Sequence, residues 1–286
     1  MRVNLRARLV SVHPLPGVRA GSALVRVDDR LLAVQDDAFC AAWVTLPELV
    51  VSSVPLAADG APLAKPDKPD FEAALRAPDG GVHLLGSGSL ATRCTLARLD
   101  PGRGTVSLRE AGDVYDSVSR ALGLVGRPNI EGAGVAGDRL RLFHRGAAAQ
   151  PSGSVDLPLG VLDGETPEVL DCRQFDLGSV DGVPLAFTDA TVVDHTRTVF
   201  LAAAENTVDA IADGAIAGSA VGLIAYSGDR PAVHWTRLLD PDGRPSLRKV
   251  EGLALDDDLR GGWLLTDPDD AQRPAELCRV ALEGFD

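Results

Sequence analysis

Ser22, Glu72, Glu131, Asp189 and Glu251 recur at matching places along this chain, four carboxylates and one hydroxyl. Carboxylates brought together repel unless they are protonated, hydrogen-bonded or neutralised. A hard cation with several oxygen ligands resolves that repulsion. Ca²⁺ suits a ring of oxygens better than Mg²⁺, which demands a strict octahedron. On this reading Glu72, Glu131, Asp189 and Glu251 are the metal ligands, Ca²⁺ is the cofactor, and the ion polarises a reacting oxygen or activates water. A second reading stands beside it: the acids accept backbone N–H groups of neighbouring strands and latch the structure together.

Each of these residues opens a similar unit. The segments are "GSALVRVDDRLLAVQDD" from Gly21, "FEAALRAPDGGVHLLGSGS" from Phe71, "IEGAGVAGDRLRLFHRG" from Ile130, "TDATVVDHTRTVFLAAAEN" from Thr188 and "VEGLALDDDLRGGWLLTDPDD" from Val250. Each is an apolar strand, a polar turn rich in Asp and Gly, and a second apolar strand. Their starts lie roughly fifty to sixty residues apart, within the period range of propeller blades. Further strand-like sequence follows each hairpin and makes four strands per unit, except in the last, which has three. The N-terminal "NLRARLVSV" can supply the missing strand, closing the ring and hiding two sheet edges. The expected fold is therefore all-β: a five-bladed β-propeller closed by its N-terminal strand, one domain over residues 1–286. Ala23, Ala73, Gly132, Ala190 and Gly252 follow the aligned residues, and small side chains fit crowded inner strands. "DVYDSVSRALGLVGRP" has helical spacing and is expected to form a short helix or ordered loop between the second and third units.

In a hairpin the start of one strand sits beside the end of the next. Asp36, Ser87, His144, Arg145, Glu205 and Asp267 are thus expected on the same face as the acids. His144, with Glu131, is the candidate acid–base pair. Ser87, Arg145, Glu205, Asp267 and Asp36 are candidate substrate contacts. In "ENTVDAIADGAIAGSA", Glu205, Asp209 and Asp213 are placed to ligate a cation or cover the channel, although the EF-hand spacing is incomplete. No G-x-S-x-G elbow, P-loop or H-E-x-x-H appears.

The net charge is −13, from 41 acidic and 28 basic residues, with only Lys65, Lys68 and Lys249 as lysines. No basic footprint for nucleic acid is present. No apolar run reaches membrane length, and arginines interrupt the N-terminal "MRVNLRARLVSVHPLPG" before it resembles a signal. A cytoplasmic protein with a small-molecule partner, and neither a nucleic-acid nor a membrane partner, is expected; a protein partner is left open. Cys40, Cys94, Cys172 and Cys278 are widely spaced and read as reduced, packed thiols.

At "NIEGAG", "KVEGLAL" and the repeated hairpins the chain resembles the phytase/esterase-like β-propeller proteins. The blocks "KPDFEA…GSGS", "AAAEN…DAIADG…GSAVG" and "TDPDD" are similar to an uncharacterised bacterial subgroup of that superfamily. The resemblance covers nearly the whole chain and implies the propeller fold. It also implies a calcium-centred site, as in lactonases of this architecture, with Glu131, Asp189 and Glu251 on the metal, and hydrolysis of an ester, lactone or phosphoester. The alternative is a non-catalytic binding or interaction scaffold in which the acid ring is structural.

Overall fold

Strands form where apolar residues alternate along the chain, and polar turns reverse them. Asp28, with φ of 56°, turns one hairpin; Gly137, at φ of 70°, turns another. Such left-handed positions match the twist of paired strands and favour Gly, Asn and Asp. The computed structural model describes residues 4–57, 63, 67–146, 150–206, 214–226, 230–270 and 272–286.

After β1 (Arg6–Pro14), three four-stranded antiparallel sheets follow in chain order. The first holds β2 (Gly21–Val27), β3 (Arg30–Gln35), β4 (Cys40–Thr45) and β5 (Val50–Pro55). The second holds β6 (Phe71–Arg76), β7 (Val82–Gly86), β8 (Thr95–Asp100) and β9 (Thr105–Glu110). Helix α1 (Gly112–Leu122) leads to the third: β10 (Ile130–Ala136), β11 (Arg139–His144), β12 (Ser152–Pro158) and β13 (Asp171–Phe175). The remaining strands join β1 in one curled nine-stranded sheet. They are β14 (Ser179–Val180), β15 (Val183–Asp194), β16 (Arg197–Asn206), β17 (Ala215–Ala225), β18 (Ala232–Leu239), β19 (Val250–Leu255), β20 (Gly261–Thr266) and β21 (Glu276–Glu283). With 57% strand and 7% helix, the molecule is all-β.

The N-terminal strand pairs antiparallel with the last one, from Arg6–Glu283 to Pro14–Glu276, as the strand deficit of the final unit required. On its other side β1 meets β18 through a short parallel seam at Ala7–Leu238 and Arg8–Leu239. That seam alone makes one nine-stranded sheet of two four-stranded runs, β15–β18 and β19–β20–β21–β1, with β14 at the edge.

The apolar core lies between successive sheets. One cluster joins the first and second sheets through Val34, Phe71 and Leu84. A second joins the second and third sheets and takes in α1 through Val114, Tyr115 and Val118. The third sheet meets β15–β17 through Phe143, Phe187 and Phe200, which pack edge to face. Leu201, Val221, Leu253 and Val280 join the two halves of the long sheet. Leu24, Leu31, Leu265 and Leu277 return to the first sheet, so the packing closes on itself. Truncating a buried Phe or Leu in such a core costs about 2–5 kcal/mol. Helix α1 buries Val114, Tyr115, Val118 and Leu122, and ends at Gly123 in the left-handed conformation. The Tyr115 hydroxyl donates to the Gly86 carbonyl at 2.7 Å.

Candidate functional site

The first strand of every unit is bulged by one residue near its start. The register skips Ser22 in β2, Glu72 in β6, Glu131 in β10, Thr188 in β15 and Glu251 in β19. A bulge leaves the extra residue out of the ladder and re-aims its side chain. Asp189 was expected at this position; the register puts Thr188 there and moves Asp189 one place on, level with Ala23, Ala73, Gly132 and Gly252. The hydrogen bonds follow the same correspondence. Ser22 Oγ donates to the Phe71 carbonyl at 2.5 Å, and Thr188 Oγ1 donates to the Val250 carbonyl at 2.6 Å. Each acceptor directly precedes the bulge of the next first strand. Asp189 accepts from the amides of Ala190 and Leu253, both at 2.6 Å, and so ties β15 to β19. Small residues let these strands approach: a Cβ on Gly132 would lie 2.6 Å from the Ala190 nitrogen.

Two of the acidic bulges, Glu131 and Glu251, turn to cations instead. Arg145 bridges Glu131 at 3.2 Å and Glu205 at 2.6 Å, while Asn129 Nδ2 donates to Glu131 at 2.7 Å. Lys249 reaches Glu251 at 3.0 Å, Asp269 at 3.1 Å and Asp267 at 3.9 Å. Lys68 bonds Asp36 and lies 2.8 Å from Asp70, which also takes Arg93 at 2.8 Å and the Ser87 hydroxyl at 2.5 Å. Glu72 is half-buried and makes no side-chain hydrogen bond among the described residues. Thus Asp36, Ser87, Arg145, Glu205 and Asp267, expected together from the hairpin geometry, all join ion pairs or hydrogen bonds with these residues. Asp209 and Asp213 lie outside the described residues.

His144 pairs with Ile130 at the end where it was expected, but it is buried there. It is 4% exposed, its Nδ1 lies 3.0 Å from the Asn129 amide that donates to it, and its Nε2 is buried without a partner among the described residues. Burial pushes its pKa down to about 4, so the ring is neutral near pH 7.

Sequence reasoning missed Lys68, Asp70, Arg93, Asn129 and Lys249. A signal for three of them was present. Asp70, Asn129 and Lys249 each stand two residues before an acidic bulge, and a spacing of two keeps side chains on one face of a strand. The carbonyls of these same residues accept from Ser87, Arg145 and Asp267, which fixes the cross-strand neighbours.

The acids outnumber the cations that face them, and titration reflects it. Burial raises Glu251 to about 7, the pull of Lys249 notwithstanding. Burial and the neighbouring Glu251 raise Asp267 to about 8. Burial, then the charges of Asp70, Asp36, Glu131 and Glu251, hold Glu72 well above the usual carboxylate range. Burial also raises Glu131, Asp189 and Asp36. Burial works against Lys68, Arg145 and Lys249, yet the surrounding carboxylates hold all three protonated.

Asp36, Asp70 and Glu72 form an acidic cluster with ligand oxygens within 4.8 Å of one another, a geometry that can hold a metal ion. An all-oxygen donor set suits a hard cation. The chain already supplies one: the Lys68 ammonium sits on two of these carboxylates. A cavity of about 470 Å³ opens beside Lys249, Asp267 and Asp269 and extends past Arg248, Leu247 and Glu276. No helix among the described residues is long and apolar enough to cross a membrane.

Solved structures share the architecture at low identity, and the similar folds are propeller-like. Glutaminyl cyclase from Myxococcus xanthus superposes with a TM-score of 0.54 at 10% identity, covering 97% of this chain and 96% of its own. A luciferin-regenerating enzyme gives 0.49 at 12% identity, with 95% of each chain covered. A gluconolactonase from Xanthomonas campestris gives 0.48 at 12%, covering 95% of this chain and 89% of its own. Among curated proteins, none matches significantly. Residues 17–282 match the family model DUF6929, described as a family of unknown function, and the chain belongs to that family.

Proposed function

We propose that the protein is a five-bladed β-propeller that binds a small polar molecule at the acid-ring end of its channel and hydrolyses an ester, lactone or phosphoester bond there. The five-blade count rests on splitting the long sheet at its two-pair seam and on the closed cycle of core clusters. The chemical reading is carried by one observation: Glu251 and Glu131 are buried beside Lys249 and Arg145, and Lys249 also lines a cavity of about 470 Å³. A carboxylate held at about 7 is matched to taking a proton from water at neutral pH. The attacking water would lose its proton to Glu251, and that proton would pass to the leaving oxygen. Lys249 and Arg145 are fixed cations that would stabilise the developing oxyanion without reorganising. His144, buried and held by Asn129, is left out of this scheme.

A hard cation such as Ca²⁺ has its best-fitting donors in Asp36, Asp70 and Glu72, where it would displace Lys68 and supply Lewis acidity. The scaffold reading draws on Asp189, both of whose oxygens are committed to backbone amides. The deciding experiment assays the purified chain against p-nitrophenyl acetate, δ-valerolactone and p-nitrophenyl phosphate, with and without Ca²⁺. Turnover of one of them, with a rising pH limb near 7 that Glu251→Gln abolishes, supports the hydrolase. No turnover of any, with melting unaltered by Ca²⁺ or chelator, leaves the scaffold.

A further inference from the structure

A second cavity, also about 470 Å³, opens between the third sheet and the β15–β18 run. Arg139, Arg141, Asp156, His195 and Tyr226 are among the residues lining it. Strand β10 starts at the acid ring and ends at this cavity with Ala136. At the rise of an extended chain the two sites are about 20 Å apart, at opposite ends of strand β10.

Arg141 is 5% exposed. Its Nε and Nη2 donate to the two oxygens of Asp156 at 2.7 and 2.8 Å, and its guanidinium carbon lies 3.8 Å from the centre of the Tyr226 ring. A carboxylate in its plane and an aromatic ring on its face fix the guanidinium in one orientation. The third nitrogen, Nη1, is buried with no hydrogen-bond partner among the described residues. A charged donor left unmet in a protein interior is costly and marks where an acceptor belongs. Arg139 supplies a second cation. It lies 3.8 Å from both Asp138 and Asp156, too far for a tight bond, and its side chain is 42% exposed. Asp156 is committed to Arg141 and Asp171 to Arg173, which leaves Arg141 Nη1 as an unmet charged donor among the described residues that line the cavity.

We propose that this cavity is a second ligand site, for a small molecule presenting a carboxylate or phosphate group to Arg141 and Arg139. Its ligand is anionic, whereas the ring at the other end gathers positive charge. The site stands or falls independently of the hydrolase reading.

The test uses the whole chain at constant ionic strength, titrated separately with inorganic phosphate, acetate and chloride. Melting temperature and the ¹⁵N signal of Arg141 Nε are followed. The expected result is a saturable rise in melting temperature and a shift of the Arg141 signal with phosphate or acetate, and neither with chloride. Arg139→Glu, at a half-exposed position, should fold as judged by circular dichroism and bind at least tenfold more weakly. Glu131→Gln, at the far end, should leave the titration unchanged. A response to phosphate alone assigns a phosphate group, and one to acetate alone assigns a carboxylate. No saturable response to either anion, or an unaltered response in Arg139→Glu, overturns the proposal.

Discussion

At Ser22 and Thr188 the bulged residue turns to the adjoining first strand and donates a hydrogen bond to a carbonyl. At Glu131 and Glu251 the same structural position turns to Arg145 and Lys249. A hydroxyl is neutral and donates, so it closes the gap between strands at little desolvation cost. An ionised carboxylate cannot donate to a carbonyl. It must import a cation, and removing both charges from water costs several kcal/mol per ion. The hydroxyl positions show that the bulged residue itself can join strands without a charge, although beside Thr188 Asp189 also ties β15 to β19. The acids are therefore poorly explained by stability alone, and local rules broken at such expense are expected where a molecule does its work.

The contrast is most exposed to disproof at Arg145. Arg145→Met leaves Glu131 and Glu205 without their cation and should destabilise by about 3–5 kcal/mol in urea unfolding. Adding Glu131→Gln and Glu205→Gln should recover most of that. A loss below about 1 kcal/mol, the range of exposed pairs, would mean that the ring is effectively solvated.

The next effect is in pH, and two signs oppose each other. The folded pKa of Glu251, about 7, is above its ordinary 4.5. Its contribution is complete below about 4.5 and is lost as pH rises through about 7. Asp267, raised to about 8 from 3.8, extends that loss further. His144 is lowered from 6.5 to about 4, so its contribution is complete above 6.5 and is lost as pH falls toward 4. The His144 shift corresponds to roughly 3 kcal/mol. Denaturant midpoints measured from pH 4 to 9 should lose in Glu251→Gln the part of their alkaline slope near pH 7, retain the part that Asp267 carries, and keep their acid slope. An alkaline slope of wild-type size in Glu251→Gln would move the titrating group elsewhere.

Smaller changes sharpen the comparison. Glu72 makes no side-chain hydrogen bond among the described residues, so Glu72→Thr, which copies the hydroxyl pattern, should raise stability by about 1 kcal/mol. Thr188→Val should lower it by about the same amount, through the lost bond to Val250. Differential scanning calorimetry resolves both. Changes of the same sign would dissolve the distinction between the two kinds of bulge.

The sequence made the hairpin units legible, because alternation and Asp/Gly turns are local signals. It also made legible the pairing of the N-terminal strand with the last, because a missing strand has few places to come from. The partners Asp36, Ser87, Arg145, Glu205 and Asp267 followed from hairpin geometry alone. Asp189 did not. Thr188 and Asp189 are adjacent polar residues, and only the ladder shows which one the bulge expels. The cations were also hidden. Lys68 reaches the mouth from the segment before β6, outside the repeated unit, and a lysine count says nothing about where each side chain goes. Helix α1 was readable from the spacing of Val114, Val118 and Leu122, whereas the burial of His144 depends on neighbours distant in sequence.

The pairing of β1 with β21 has a kinetic consequence. Arg6 and Glu283, which meet across that pair, are 277 residues apart in the chain. Pairings of such long range form slowly, because loop-closure entropy is paid before the contact repays it. The hairpins can assemble in order as the polypeptide emerges, but the final sheet has to wait for its last segment. Until β21 arrives, β1 and β20 lack the partner that lies between them and offer open edges to other molecules. A circular permutant that links the present ends through a short loop and opens the chain between two earlier sheets would turn that remote pairing into a hairpin. It should refold faster than the parent and aggregate less on the way.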